Sequence, residues 1–333
     1  MRFIHTADWH LGRYFHGLHL TDEPRELLLG HFLPLIRDAK ADGVVIAGDI
    51  YDRGIPPVEA VALFDEVLTK LIEQKVRVLY IAGNHDSARR IHFGNRLMQA
   101  AGVFVRGELE DPLTPVVLED RFGPVYFQLY PCAEPAAIRA AFGREEQLDF
   151  DSATQLLVDT GREQIPAAAR SVAVAHAFLA GGQSSESERP LSVGGSGNVS
   201  PAMFRGFSYT ALGHLHNPQS AGGEMIRYSG SLMKYSFDEA QQHKGVNIVE
   251  LDGQGHVSRR FQELIPRRDV RRIRGLFADI LFDEVSYPAS DDFIEVDLKD
   301  TRPILDAFNQ LKTRYPNLMH ILRTDRMAEQ VEW

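Results

Sequence analysis

The sequence predicts an α/β fold: a two-sheet sandwich flanked by helices, with a small C-terminal α/β unit. Three observations lead there. Through the first half, short apolar runs alternate with longer amphipathic stretches, the β-α-β-α-β order of a largely parallel sheet with helices packed on it. The second half is richer in strands, enough for a second sheet against the first. After residue 277 a strand, a helix and a strand stand apart as an appendage.

The elements follow in order. Residues 2–5 form a strand, and 23–39 a helix with Leu27, Leu28, Phe32, Leu33 and Ile36 at helical spacing. A buried strand covers 43–47. A helix over 57–74 opens at the pair Pro56-Pro57, where proline is tolerated, and a strand follows at 76–81. Further strands are expected at 125–129, 171–175, 209–212, 225–228, 246–251 and 257–264, with a helix at 151–162. Residues 181–200 are a Gly- and Ser-rich loop of a length that is usually functional or mobile. The stretch 277–290 reads as a boundary, dividing the chain into 1–276 and 277–333. The second part carries a strand at 293–298, a helix at 301–315 and a strand at 318–323. There are no internal repeats.

The 333 residues are 44% hydrophobic and 25% charged, which is ordinary globular composition. A single cysteine, Cys132, rules out an internal disulfide and fits a reducing compartment. The chain passes from Met1 straight into a motif, leaving no room for a signal peptide, and no apolar run approaches the ~20 residues of a membrane span. A cytoplasmic protein without membrane contact is expected. The net charge of −10 argues against a general nucleic-acid binder, unless bound cations attract phosphate locally.

Five segments carry the chemistry: Asp8-Trp9-His10, the run from Gly48-Asp49 through Asp52-Arg53-Gly54, Gly83-Asn84-His85-Asp86, His176, and Gly213-His214-Leu215-His216. Each follows an expected strand, so all five should converge on the rim where the strands end. Alone, each has a plain alternative, such as turn chemistry for Gly-Asp or a satisfied core histidine for His176. Together they supply oxygen and imidazole nitrogen without thiolate, a set suited to Mn, Fe, Zn or Mg. Seven ligands exceed one four-coordinate zinc and fit two cations sharing a carboxylate. Such a pair clamps the attacking and leaving oxygens of a phosphoryl transfer.

These segments resemble the calcineurin-like metallophosphoesterase superfamily, whose pattern is D-x-H, G-D-x-x-D/H, G-N-H-D/E, a lone His, and G-H-x-H. Within it the chain is similar to the SbcD family, the nuclease subunits of bacterial SbcC–SbcD double-strand-break repair complexes. That similarity rests on the run His5-Thr6-Ala7-Asp8-Trp9-His10-Leu11-Gly12, on Tyr228-Ser229-Gly230-Ser231, on Tyr235-Ser236-Phe237-Asp238-Glu239, and on an appendage like the family's capping domain. The resemblance implies a metallophosphoesterase sandwich acting as a DNA exo/endonuclease with two divalent metals, manganese expected. It implies Asp8, His10, Asp49 and His216 at the first metal, Asp49 as the bridge, and Asn84, His176 and His214 at the second. His85 faces the scissile phosphate without ligating.

Asp52 is the expected hydrogen-bond partner of His85, raising its pKa as a neighbouring carboxylate does. Arg53, Arg89 and Arg90 are candidate phosphate contacts, with Arg13, Lys234 and His243 beside them. Arg53 completes a stretch that is also close to the phosphoprotein phosphatase signature, so a phosphomonoesterase or phosphoprotein phosphatase is the alternative activity. The basic run Arg259-Arg260, Arg267-Arg268, Arg271-Arg272 and Arg274 fits either a DNA track or a charged strand face. The expected partners are DNA, an SbcC-type ATPase and a second copy of the chain. Family members continue past the cap into a segment that docks on the ATPase, and this sequence ends at Trp333. The second copy would pack on the helix over 57–74 and the one after Arg90, with Leu63, Leu68, Leu71 and Leu97 as contacts.

Overall fold

Alternate residues of a strand face opposite sides of its sheet. In the computed structural model, which describes residues 1–110, 112–189 and 197–323, both sides are covered. Phe3, Val45, Leu79 and Ile81 point into an apolar layer shared with Phe127, Leu129, Val172, Val174 and Tyr209. Their neighbours Ile4, Val44, Ile46, Val78 and Tyr80 turn the other way, onto helices carrying Phe32, Ile36, Leu63, Phe64 and Leu71. On the outer face of the second sheet, Leu157 and Val158 pack with Ala173 and Leu212. The order of layers is helix, sheet, sheet, helix.

The first sheet runs Val257–Glu263, Gly245–Leu251, Arg2–Thr6, Gly43–Ile46, Arg77–Ile81, Val103–Arg106, its last four strands parallel. The second runs Gln219–Ser220, Ile226–Tyr228, Tyr209–Gly213, Ser171–His176, Gly123–Tyr130, Val116–Asp120, with a parallel centre. The strands expected at 246–251 and 257–264 therefore return to the first sheet, where Gly245–Leu251 lies antiparallel to Arg2–Thr6. Parallel strands end on one side, so the loops after Thr6, Ile46, Ile81, His176 and Gly213 emerge on one rim.

The helix expected at 23–39 is continuous but not uniform. Asp22–Glu26 and Leu33–Ala39 are α-helical, and Leu27–Phe32 between them is a π turn. Pro34 has no N–H to donate, and the ladder shifts by one residue just before it, with Leu33 N–H bonded to Leu28 O. The helix expected at 301–315 shrinks to Ala307–Lys312, after Pro303 and an Asp306 with φ of 50°. Part of the expected loop over 181–200, residues 190–196, lies outside the described residues. Within the remainder, Asn198–Val199 pairs in parallel with the short strand Phe178–Leu179 just before the loop.

A third sheet of parallel strands, Val270–Gly275, Phe293–Leu298 and Leu318–Leu322, forms the C-terminal unit. A division after residue 276 separates the first of these strands from its own sheet, so we propose a division just before Val270 instead. Residues 324–333 of the expected cap lie outside the described residues. The C-terminal part of the basic run is occupied by acids. Arg271, Arg272 and Arg274 meet Asp292, Glu295 and Asp297 of the cap, and Arg268 reaches Glu23 of the first helix at 2.6 Å. This part of the run pairs with acids and joins the cap to the core, whereas Arg259 and Arg260 meet the side-chain amides of Asn247 and Gln262.

Leu63 and Leu71, expected as contacts to a second copy, lie in the core because the apolar stripe of Val58–Glu73 faces the sheet. Leu68 is half-buried against that core, and Leu97 is exposed. Among the described residues, no helix is long and apolar enough to cross a membrane.

The Arg268–Glu23 pair yields a stability prediction. Glu23 is 5% exposed, so Arg268→Ala strands a buried carboxylate at an expected cost of roughly 1–3 kcal/mol. Thermal or urea denaturation should show a lowered midpoint. An unchanged midpoint would mean that the pair does not help to hold the cap.

Candidate metal centre

Two rim loops lie side by side. Asp8 N–H donates to Gly48 O at 3.1 Å, His10 N–H to Asp49 O at 3.0 Å and Leu11 N–H to Ile50 O at 2.9 Å. A third loop is tied to them by Asp86, whose carboxylate accepts from the backbone N–H groups of Ile50, Tyr51 and Gly83 at 2.9–3.1 Å. The loops are close enough that side chains are excluded at two glycines. A Cβ on Gly83 would lie 2.1 Å from Asp49 Oδ1, and one on Gly213 would lie 1.9 Å from Ala47 O.

Asp8, His10, Asp49 and His214 all have positive φ, at 54°, 44°, 50° and 104°. Left-handed backbone is disfavoured for residues with a Cβ and gathers at functional sites. Here it turns the side chains of four candidate ligands into one volume.

The structure brings all seven candidate ligands together. His10 Nε2 lies 3.0 Å from His216 Nε2 and 3.7 Å from Asp49 Oδ2. His176 Nε2 is 3.5 Å from the same Asp49 oxygen and 2.9 Å from Asn84 Oδ1, and His214 Nδ1 is 3.2 Å from that Asn84 oxygen. Donor atoms of Asp8, His10 and His216 fall within 4.8 Å of one another, as do those of Asp8, Asp49 and His176. The aspartates and the four histidines are buried, and Asn84 is half-buried.

The donor chemistry fits cations. His176 Nδ1–H is directed at Ala47 O, 2.9 Å away, which turns the Nε2 lone pair toward the Asn84 oxygen. His10 and His216 likewise face each other through Nε2. Lone pairs that converge on each other are satisfied by a positive ion between them. Burial, then the charge of Asp49, holds the Asp8 pKa well above the ordinary carboxylate range, and burial raises that of Asp49 to about 6. Burial also lowers His10 and His214 well below the ordinary value, and His176 and His216 to about 4. The rings are therefore neutral donors, and the carboxylates lack a positive partner among them. His10 Nδ1 is buried without a hydrogen-bond partner among the described residues.

The expected side-chain bond between Asp52 and His85 is not formed. His85 Nδ1–H donates instead to the main-chain carbonyl of Asp52 at 2.8 Å. The Asp52 carboxylate turns to Arg13 at 3.2 Å and toward His10 Nδ1 at 3.6 Å. Burial lowers the pKa of His85, opposed by Asp49 and by the Asp52 carbonyl, in place of the expected rise from the Asp52 carboxylate. The other ring nitrogen, Nε2, lies 3.9 Å from Asp49 Oδ2.

Arg53 is exposed, with its guanidinium 5.8 Å from the centre of the Tyr14 ring. Arg89 and Arg90 are exposed on the short helix Ala88–His92. Lys234 is engaged with Asp269, at 3.0 Å, and His243 with Glu263, at 2.8 Å.

Sequence reasoning missed the residues behind His216. These are Ser187 and Glu188 from the Gly/Ser-rich loop, and the buried pair Glu239–Lys244. It also missed Arg189, whose positive charge reaches Asp49, Asp52 and His85. The available signal was a charged Glu-Arg pair inside a loop otherwise rich in Gly and Ser.

The packing and the protonation of the site can each be tested. Gly83→Ala should abolish metal loading, because its Cβ overlaps Asp49 and no flexible side chain can yield. A soluble, fully loaded variant by elemental analysis would contradict the packing. As for protonation, the metal-free Asp49 carboxyl keeps its proton up to about pH 6, and a ligand must be deprotonated to bind. Cation affinity should therefore rise between roughly pH 5 and pH 7, with proton release measurable by calorimetry in two buffers. Constant affinity across that range would contradict it.

Comparison with known proteins agrees with this geometry. Residues 1–136 match the calcineurin-like phosphoesterase family, and residues 266–332 match a family described as the type 5 capsule protein repressor C-terminal domain. The chain is 31% identical over 320 residues to the SbcD component of the SbcCD nuclease of Staphylococcus epidermidis (strain ATCC 12228 / FDA PCI 1200), covering 96% of this chain and 84% of that protein. A calcineurin-like phosphoesterase rim joined to that C-terminal unit, with similarity along nearly the whole length, places the chain in the SbcD nuclease family.

Proposed function

We propose that this protein is a DNA nuclease that hydrolyses phosphodiester bonds with two divalent cations, manganese in the first instance. The observation that carries the reading is the convergence of seven nitrogen- and oxygen-donor side chains, Asp49 among them, with lone pairs facing one another at 2.9–3.2 Å. Asp8, His10, Asp49 and His216 would hold one cation, and Asp49, Asn84, His176 and His214 the other. Two divalent ions supply Lewis-acid charge to the phosphate and activate water near neutral pH.

The chain's own residues do the rest. The bond from His85 Nδ1–H to the Asp52 carbonyl fixes the ring, leaving Nε2 free to meet substrate. The negative charge of an incoming phosphodiester favours the imidazolium, offsetting the effect of burial. His85 then delivers the Nε2 proton to the departing 3′-oxygen. Asp52 acts through His10 and Arg13 and is a positioning residue. Arg53, Arg89, Arg90 and Arg189 supply local positive charge to guide the DNA backbone, on a chain whose net charge is −10.

We propose an SbcC-type ATPase as the partner in double-strand-break or hairpin processing. A second copy is proposed to pack on the face carrying Phe93 and Leu97, which are 82% and 83% exposed.

The test is a manganese-dependent assay on linear and hairpin DNA beside a panel of phosphomonoesters. DNA should be cleaved and the monoesters left largely intact. Asp49→Asn should weaken both metal sites and abolish cleavage. His85→Gln should keep both metals and lose about 10²–10⁴-fold in turnover. Hydrolysis of monoesters alone, or full activity in His85→Gln, would overturn the reading.

A further inference from the structure

His216 is held at every polar atom except one. Its N–H donates to Glu188 Oε1 at 2.6 Å, and its carbonyl accepts from Lys244 Nζ at 2.6 Å. Its Nδ1 lies 2.5 Å from Ser187 Oγ and 3.4 Å from Glu239 Oε1. Only Nε2 remains, and it faces His10 Nε2.

The supports are themselves closed. Lys244 Nζ has three protons and three acceptors: Glu239 Oε2 at 2.6 Å, His216 O at 2.6 Å and Gln242 Oε1 at 2.7 Å. Ser187 Oγ–H donates to Glu239 Oε1, and the Ser187 carbonyl accepts from Arg13 at 2.8 Å. The second Glu188 oxygen accepts from Ser185 N–H at 2.8 Å. Ser187, Glu239 and Lys244 are all buried.

These contacts determine which ring nitrogen carries the proton. A hydroxyl has one proton, and that of Ser187 goes to a carboxylate ion-paired with Lys244. Ser187 can then only accept from His216, so Nδ1 bears the hydrogen and Nε2 the lone pair.

We infer that Ser187 and Glu188, backed by Glu239 and Lys244, form a strap of positioning residues dedicated to His216, one that sets its tautomer and aims its Nε2 at one metal position only. The inference rests on the two-cation reading above. The other position is supported differently, since His176 is anchored by the main-chain oxygen of Ala47. Outer hydrogen bonds of this kind fix ligand orientation, and their loss typically weakens metal binding 10–100-fold.

The experiment is calorimetric titration of the full chain with MnCl₂, paired with ¹⁵N NMR of the metal-free histidine rings. The wild-type chain should bind two ions and show His216 as the Nδ1–H tautomer. Ser187→Ala should weaken one site about 10–100-fold and leave the other unchanged. Glu188→Gln keeps the shape of the strap and should weaken the same site by a smaller factor. A wild-type chain that binds fewer than two ions overturns the two-cation reading itself. Two unaltered sites in Ser187→Ala, or a wild-type His216 found as the Nε2–H tautomer, overturn the strap alone.

Discussion

Two carboxylates, Asp8 and Asp49, lie buried side by side, and the architecture of the rim answers to that constraint. Burying like charges is costly unless they are paired and hydrogen-bonded. The protein supplies backbone donors: His214 N–H to both Asp8 oxygens at 3.0 and 3.1 Å, and His85 N–H to Asp49 at 2.8 Å. The surrounding rings are held neutral by the same burial, so they contribute lone pairs and no charge. The nest is thus negative and rich in donors, as a site for divalent cations requires.

Holding such a nest demands a rigid frame. Both sheets end their parallel strands on this rim, and the apolar layer between them fixes how closely the ends approach. Within the rim, strain is concentrated at four left-handed residues. It persists because Asp86 ties its own loop to the one holding Asp49 and the glycines at 83 and 213 admit no side chain. Trp9, between the ligands Asp8 and His10, is pinned by Phe32 and Phe64 and by its own bond to Thr6. The first loop therefore inherits the rigidity of the helix layer.

The fold and the clustering of the candidate ligands were legible because their signals are local. Apolar runs with the right period sit next to short polar motifs, and strand ends bring those motifs together. What was hidden depends on direction and distance. Spacing places Asp52 near His85 but does not say which way its carboxylate turns, and Arg13 and His10 capture it. The strap joins residues 28 and 52 positions apart in the chain, through a loop with no periodicity to read. Leu63 and Leu71 have the helical spacing of a contact face and also that of a core face, and only the sheet beneath them decides. The basic run left a DNA track and a charged strand face equally open because the acidic partners of Arg268, Arg271, Arg272 and Arg274 lie in other elements.

The central claim is that two cations share Asp49. Anomalous diffraction at the manganese edge, from crystals grown with MnCl₂, tests it most directly. The account predicts two peaks about 3.5–4 Å apart, on either side of the Asp49 carboxylate, one beside Asp8, His10 and His216 and the other beside Asn84, His176 and His214. A single peak, or two peaks that do not share Asp49, would contradict it.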